Sequence, residues 1–91
     1  MSNATIISFV ARSKRRKGVL EILNKNKEIS QPEIMRLSKQ YKSHNSRTIK
    51  ELLDKGLISC VNPKDRAFRF YKITKKGEKI LKEAVRIGFA Q

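Results

Sequence analysis

Between Ser30 and Gly56 the chain carries two helix-start signals and one stop signal in close succession, and this punctuation constrains the fold more than any other feature of the sequence. In Ser30-Gln31-Pro32-Glu33, the serine can cap free backbone N–H groups and the glutamate can reach back in a capping box. The proline falls in the first turn, where its missing N–H costs nothing. Ile34, Met35 and Leu37 then predict the inward face of a short helix ending near Gln40. After Tyr41 and Lys42, Ser43 is the next capping residue, and Ile49, Leu52 and Leu53 fall three and four apart on a helix from about His44 to Lys55. Gly56 can take the positive φ that ends a helix, with Lys55 in the last turn, where a cation is favoured.

On either side of this pair the pattern changes. Upstream, Val19, Leu20 and Leu23 repeat on one helical face, so a helix runs to about Asn26. It begins either at Ser13 as a cap or in continuity with the apolar run Ile6 to Ala11. Downstream, Leu57 to Val61 is rich in β-formers, Asn62-Pro63-Lys64-Asp65 reads as a turn, and Phe68 to Ile73 alternates well enough to pair back. Tyr71 and Ile73 are expected in the core, and Phe68 and Phe70 against the helices rather than stacked on bases. Thr74 caps a last helix with Gly77, Ile80, Leu81 and Ala84 on one face. The expected architecture is α+β, mainly α: a three-helix core, a two-stranded hairpin and a C-terminal helix over residues 74–91. Ninety-one residues suffice for a single domain, with residues 1–8 as a flexible segment or an interface.

Charge then narrows the partner. Lysine and arginine number 22 against 8 acids, a formal net charge of +14, which favours a polyanion. The single cysteine, Cys60, excludes an intrachain disulfide and a thiolate metal cluster, and most cysteines within strands are inert core. No apolar run reaches the roughly 18 residues needed to cross a bilayer. The basic cluster also follows the first apolar run rather than preceding it, opposite to a signal peptide, so a cytoplasmic protein without membrane contact is expected. One histidine, one cysteine and scattered acids form no catalytic pattern, so neither enzymatic activity, a metal nor a cofactor is expected.

Helix, helix, short turn, helix and hairpin is the layout of a winged helix-turn-helix, in which the third helix enters a major groove and the hairpin lies on the neighbouring backbone. The strings Phe9-Val10-Ala11-Arg12-Ser13-Lys14-Arg15-Arg16, Ser46-Arg47-Thr48-Ile49-Lys50-Glu51-Leu52-Leu53-Asp54-Lys55-Gly56-Leu57-Ile58 and Phe70-Tyr71-Lys72-Ile73-Thr74-Lys75-Lys76-Gly77 resemble small archaeal winged helix regulators related to the MarR and ArsR groups. The resemblance covers nearly everything from Phe9 to Ala84. Such proteins usually carry a small apolar residue where this chain has Asn45, so the helix starts later here or turns its first turn toward solvent. The resemblance implies a sequence-specific transcriptional regulator of double-stranded DNA.

With Ile49, Leu52 and Leu53 inward, the recognition helix would present Ser43, His44, Asn45, Ser46, Arg47 and Lys50. Arginine and lysine donate to guanine O6 and N7, asparagine pairs with adenine, and hydroxyls serve bases or phosphates; Arg47 is the first candidate for a base contact. In the wing, about residues 62–69, Lys64, Arg66 and Arg69 outweigh Asp65 and, with the neighbouring Lys72, would add salt-sensitive affinity. Ser30 and Gln31 at a helix start are further phosphate candidates. Lys14, Arg15, Arg16 and Lys17 would crowd the positive end of a helix capped by Ser13. A locally unfavourable arrangement of that kind points to phosphate contact; on a continuous helix it is an exposed mid-helix face.

Ile6, Ile7, Phe9 and Val10 at one end and Val85, Ile87 and Phe89 at the other exceed what one small core absorbs, so a homodimer through the terminal segments is expected. The sequence names no effector ligand. Two competing functions are an architectural chromatin protein that coats DNA and a winged helix module that binds RNA or a protein partner.

Overall fold

Ser30 caps the helix that follows it: its Oγ accepts a hydrogen bond from the Glu33 amide at 3.4 Å, and Pro32 sits in the first turn of α3 (Gln31–Ser38). The computed structural model describes residues 3–87, apart from the side chains of Asn3, Lys42 and Ile87. The capping box is only half formed, because the Glu33 carboxylate takes the Arg36 guanidinium at 2.6 Å instead, which holds that carboxyl below its usual range. The helix stops at Ser38, short of the expected Gln40, where Lys39 enters the left-handed region at φ 56°. Ile34 is fully buried, but Leu37, expected inside, is 43% exposed.

The next helix, α4 (Lys42–Asp54), starts before the expected Ser43 cap. Tyr41 occupies the cap position with extended backbone and no side-chain bond, and its carbonyl receives the Asn45 amide at 2.9 Å. Packing explains the early start. The buried stripe of α4 is Asn45, Thr48, Ile49 and Leu52, spaced three, one and three, so the first turn is drawn into the core through two polar residues. Gly56 closes the helix at φ 72°, as its position implies.

Ser13 does act as a cap, accepting from the Arg16 amide at 3.3 Å, so the N-terminal segment is two helices: α1 (Asn3–Ala11) and α2 (Lys14–Lys25). Residues 3–8 are therefore helical rather than a loose tail. Ile6, Val10 and Ala11 are buried, and α1 packs against α5 (Lys75–Ile87) of the same chain. Thr74 starts α5 by accepting from the Gly77 amide at 3.0 Å. Gly77 itself lies against the residue that leads into the second strand, where a Cβ would overlap the Leu57 carbonyl and press on Ile73.

Among the described residues the sheet has three strands rather than two. β1 (Ile29–Ser30), β2 (Ile58–Cys60) and β3 (Phe70–Ile73) assemble antiparallel in the order β1-β3-β2, with Ile29 and Cys60 on either side of Tyr71. Tyr71 is buried, Ile73 packs against the core, and desolvation pushes the Tyr71 phenol up from its usual range. Phe68 and Phe70 are exposed instead of packing on the helices. Side chains alternate along a strand, so burying Tyr71 turns its neighbour Phe70 to the other face of the sheet.

Candidate nucleic-acid interface

Burial of the Asn45, Thr48, Ile49 and Leu52 stripe fixes the opposite face of α4. It carries Ser43, Ser46, Arg47 and Lys50, all four exposed, with His44 half-buried beside them. Asn45 does not belong to this face. It is 0% exposed, and neither its Oδ1 nor its Nδ2 meets a hydrogen-bond partner among the described residues. Neither sequence-based account of this position holds, because the helix neither starts later nor rotates outward. Buried Thr48 differs in being satisfied, its Oγ1 donating to the His44 carbonyl at 2.8 Å.

The wing, residues 61–69, is built by two short side chains. Asn62 Nδ2 donates to the Phe68 carbonyl at 2.6 Å while its Oδ1 accepts from the Phe70 amide at 2.8 Å. Asp65 Oδ1 accepts from the Ala67 and Phe68 amides, both at 2.9 Å, and these bonds to the ionised form hold its pKa below the usual aspartate value. Arg69 Nε closes the loop onto the Asp65 carbonyl at 3.0 Å. Lys64, Arg66 and Arg69 are exposed on it.

Gln31 joins the wing to α4. Its backbone amide donates to the Arg69 carbonyl at 3.2 Å and its side-chain amide donates to Ser46 Oγ at 3.2 Å. A groove of about 420 Å³ lined by Gln31, Pro32, Met35, Arg66, Ala67 and Arg69 runs between the start of α3 and the wing. A second groove brings Ser13, Arg15 and Arg16 of the α2 start together with His44, Arg47, Thr48 and Glu51 of α4. Cations from α2, α4 and the wing thus lie along the surface that these contacts join. Two acids along it are engaged: Asp65 by backbone amides and Glu51 by Arg16.

That last pairing reassigns Arg16. Its guanidinium meets Glu51 with Nη2 at 3.0 Å and Nε at 3.3 Å, donates Nη1 to the Phe9 carbonyl at 2.9 Å, and stacks 3.8 Å from the Phe9 ring centroid. It clamps α1, α2 and α4 together rather than standing ready for a phosphate, whereas Lys14 and Arg15 remain exposed. Ser30 is occupied as a helix cap. Lys72 lines a separate groove with Lys27, Glu28 and Glu78, away from the wing tip. Tyr41, which sequence reasoning passed over as part of a connection, is 80% exposed and meets His44 edge-on at 6.1 Å. An aromatic residue immediately before a helix rich in DNA-compatible side chains was the available signal.

Among the described residues no group of three or more His, Cys, Asp or Glu side chains could hold a metal ion, and no helix is long and apolar enough to cross a membrane. Of the terminal apolar residues, Ile6 and Val10 are buried within the chain, Ile7 and Phe9 pack against its core, and Val85 is exposed. Phe89 lies outside the described residues, as does the last part of the expected 74–91 helix.

No family model and no curated protein matches the sequence. Solved structures do match the fold. The PcaV transcriptional regulator of Streptomyces coelicolor aligns over 84% of this chain at 20% identity and a TM-score of 0.75, the chain spanning 57% of PcaV. A mutant of MarR from E. coli complexed with operator DNA aligns over 94% of this chain and 69% of that one, at 17% identity and a TM-score of 0.73. BpsR of Bordetella bronchiseptica, described for regulation of its DNA binding by 6-hydroxynicotinic acid, aligns over 86% of this chain and 58% of its own, at 20% identity and a TM-score of 0.74. Among the described residues, the arrangement of five helices and a small antiparallel sheet is the winged helix fold of PcaV and MarR.

Proposed function

We propose that residues 1–91 form a single winged helix domain that regulates transcription by binding double-stranded DNA sequence-specifically. In this reading α4 enters the major groove, with Arg47 and Lys50 reading bases and Ser43, His44 and Ser46 beside them. Lys64, Arg66 and Arg69 of the wing, together with Lys14, Arg15 and Gln31, hold phosphates. The observation that carries it is the bridge through Gln31, which ties the wing backbone to Ser46 and so brings both basic surfaces together. The net charge of +14 supports a polyanion as partner. The likeness in fold to MarR bound to operator DNA supports a duplex in particular.

A homodimer belongs to this reading, with two α4 helices about 34 Å apart on a near-palindromic site. With Ile6 and Val10 buried inside the chain, the exposed Val85 side of α5 is the surface for that contact. A monomer in sedimentation at micromolar concentration overturns the dimer.

The test of the central reading is fluorescence anisotropy with duplex DNA, single-stranded DNA and structured RNA at matched salt. Duplex should bind best, with log affinity falling steeply against log salt. Arg47→Ala should lose about 1–3 kcal/mol of binding to a selected site. Equal affinity for all three nucleic acids, or preference for RNA, refutes the regulator reading; genome-wide occupancy as a uniform coat refutes sequence specificity.

A further inference from the structure

The wing of this basic chain also exposes a cluster of apolar side chains. Phe68 is 63% exposed, and Phe70 and Val61, joined across the hairpin by the Val61 amide donating to the Phe70 carbonyl at 2.8 Å, are 39% and 40% exposed. A phenyl group gains roughly 1.5–3 kcal/mol by full burial, so leaving Phe68 in water forgoes stability. The backbone that carries the ring is held on both sides: the Phe68 amide donates to Asp65 and its carbonyl accepts from Asn62. A group pre-set in this way loses little conformational entropy when it is bound.

What the ring meets is set by its surroundings. Lys64, Arg66 and Arg69 are exposed on the same loop, and its one acid, Asp65, has its carboxylate turned onto backbone amides. The complementary partner is an apolar slot flanked by anions, and a base step between two phosphodiester backbones has that form. Gln31 holds the wing beside Ser46, so a duplex that meets α4 also has the wing within reach.

We propose that Phe68 is an apolar wedge that the wing inserts from the minor groove between two stacked base pairs next to the α4 site, with Arg66 and Arg69 on the flanking phosphates, so that the duplex bends. The inference rests on the duplex-binding reading above and adds a way of choosing sequence to it. Unstacking a step costs a few kcal/mol, least at flexible pyrimidine–purine steps and most in stiff A-tracts. The wing thus selects sites by their deformability, at a position where no base edge is read.

The test uses the full chain with two duplexes about two turns long: one of alternating TpA steps with a single adenine replaced by 2-aminopurine, the other oligo(dA)·oligo(dT). Wild type and Phe68→Leu should prefer the alternating duplex, and 2-aminopurine fluorescence should rise about two-fold or more as the step unstacks. Phe68→Ala should bind it roughly ten-fold more weakly and leave the fluorescence flat, with its thermal melt unchanged because the ring is outside the core. If wild type binds both duplexes but Phe68→Ala matches it in preference and fluorescence, the wedge is overturned and the duplex reading stands. If wild type prefers single strands or phosphatidylserine vesicles, the duplex reading fails and takes the wedge with it.

Discussion

Asn45→Leu should stabilise this protein and leave its duplex affinity intact. The asparagine is fully buried, with both polar side-chain atoms unpartnered among the described residues, and an amide left in that state costs about 1–3 kcal/mol. Leucine branches at the same Cγ, so two methyl groups replace the oxygen and nitrogen nearly in place, and leucine is the better helix former by a few tenths of a kcal/mol. Its slightly larger volume opposes this by about 1 kcal/mol of overpacking. The balance runs from a few tenths to about 2 kcal/mol of added stability, or up to about 16 °C in Tm for a domain of this size. Urea unfolding followed by circular dichroism measures the first, and anisotropy with duplex DNA measures the second. A loss of more than about 1 kcal/mol of stability would mean that the amide is hydrogen-bonded in solution and supports the helix start. A drop of about 1–3 kcal/mol in duplex affinity would mean that Asn45 reaches bases, and the assigned face of α4 would be wrong.

Arg16→Ala and Glu51→Gln should each cost about 1–2 kcal/mol in urea unfolding, discounted because the pair is a quarter to a third exposed, while Arg16→Ala changes duplex affinity far less than Arg15→Ala does. For Asp65, the bonds from Phe68 and Ala67 favour the charged carboxylate, so the folded pKa lies below the ordinary 3.8. The wing is therefore held above that pH and released as pH falls through the lowered value. The Ala67 and Phe68 amide resonances should titrate there in the wild type and stay flat in Asp65→Asn; a transition near pH 3.8 or above contradicts the geometry. Gly77→Ala should destabilise by about 3 kcal/mol or more, because a Cβ overlaps the Leu57 carbonyl; a Tm within a few degrees of wild type would show that α5 sits farther from Leu57.

What the sequence determined by itself is the set of features closed by bonds within one turn of chain. Ser30 and Thr74 cap helices by accepting from the amide three residues on, and Gly56 takes the positive φ that its lack of a Cβ permits, whereas the Ser13 cap, left open against a continuous helix, was decided by the structure. The outward placement of Ser46, Arg47 and Lys50 was also legible, since Ile49 and Leu52 set the phase of the helix. Tertiary structure decided what depends on distant partners. β1 is two residues long and exists only because β3 offers it hydrogen bonds. Asn45 is buried because the rest of α4 packs, against its own polarity. Arg16 becomes a clamp because folding delivers Glu51 to it, and the apolar residues of α1 pack against α5 of the same chain. Apolar character in a sequence states that a side chain gains by leaving water; only the assembled fold supplies the surface it leaves water for, and at Phe68 the described residues leave most of the ring in solvent.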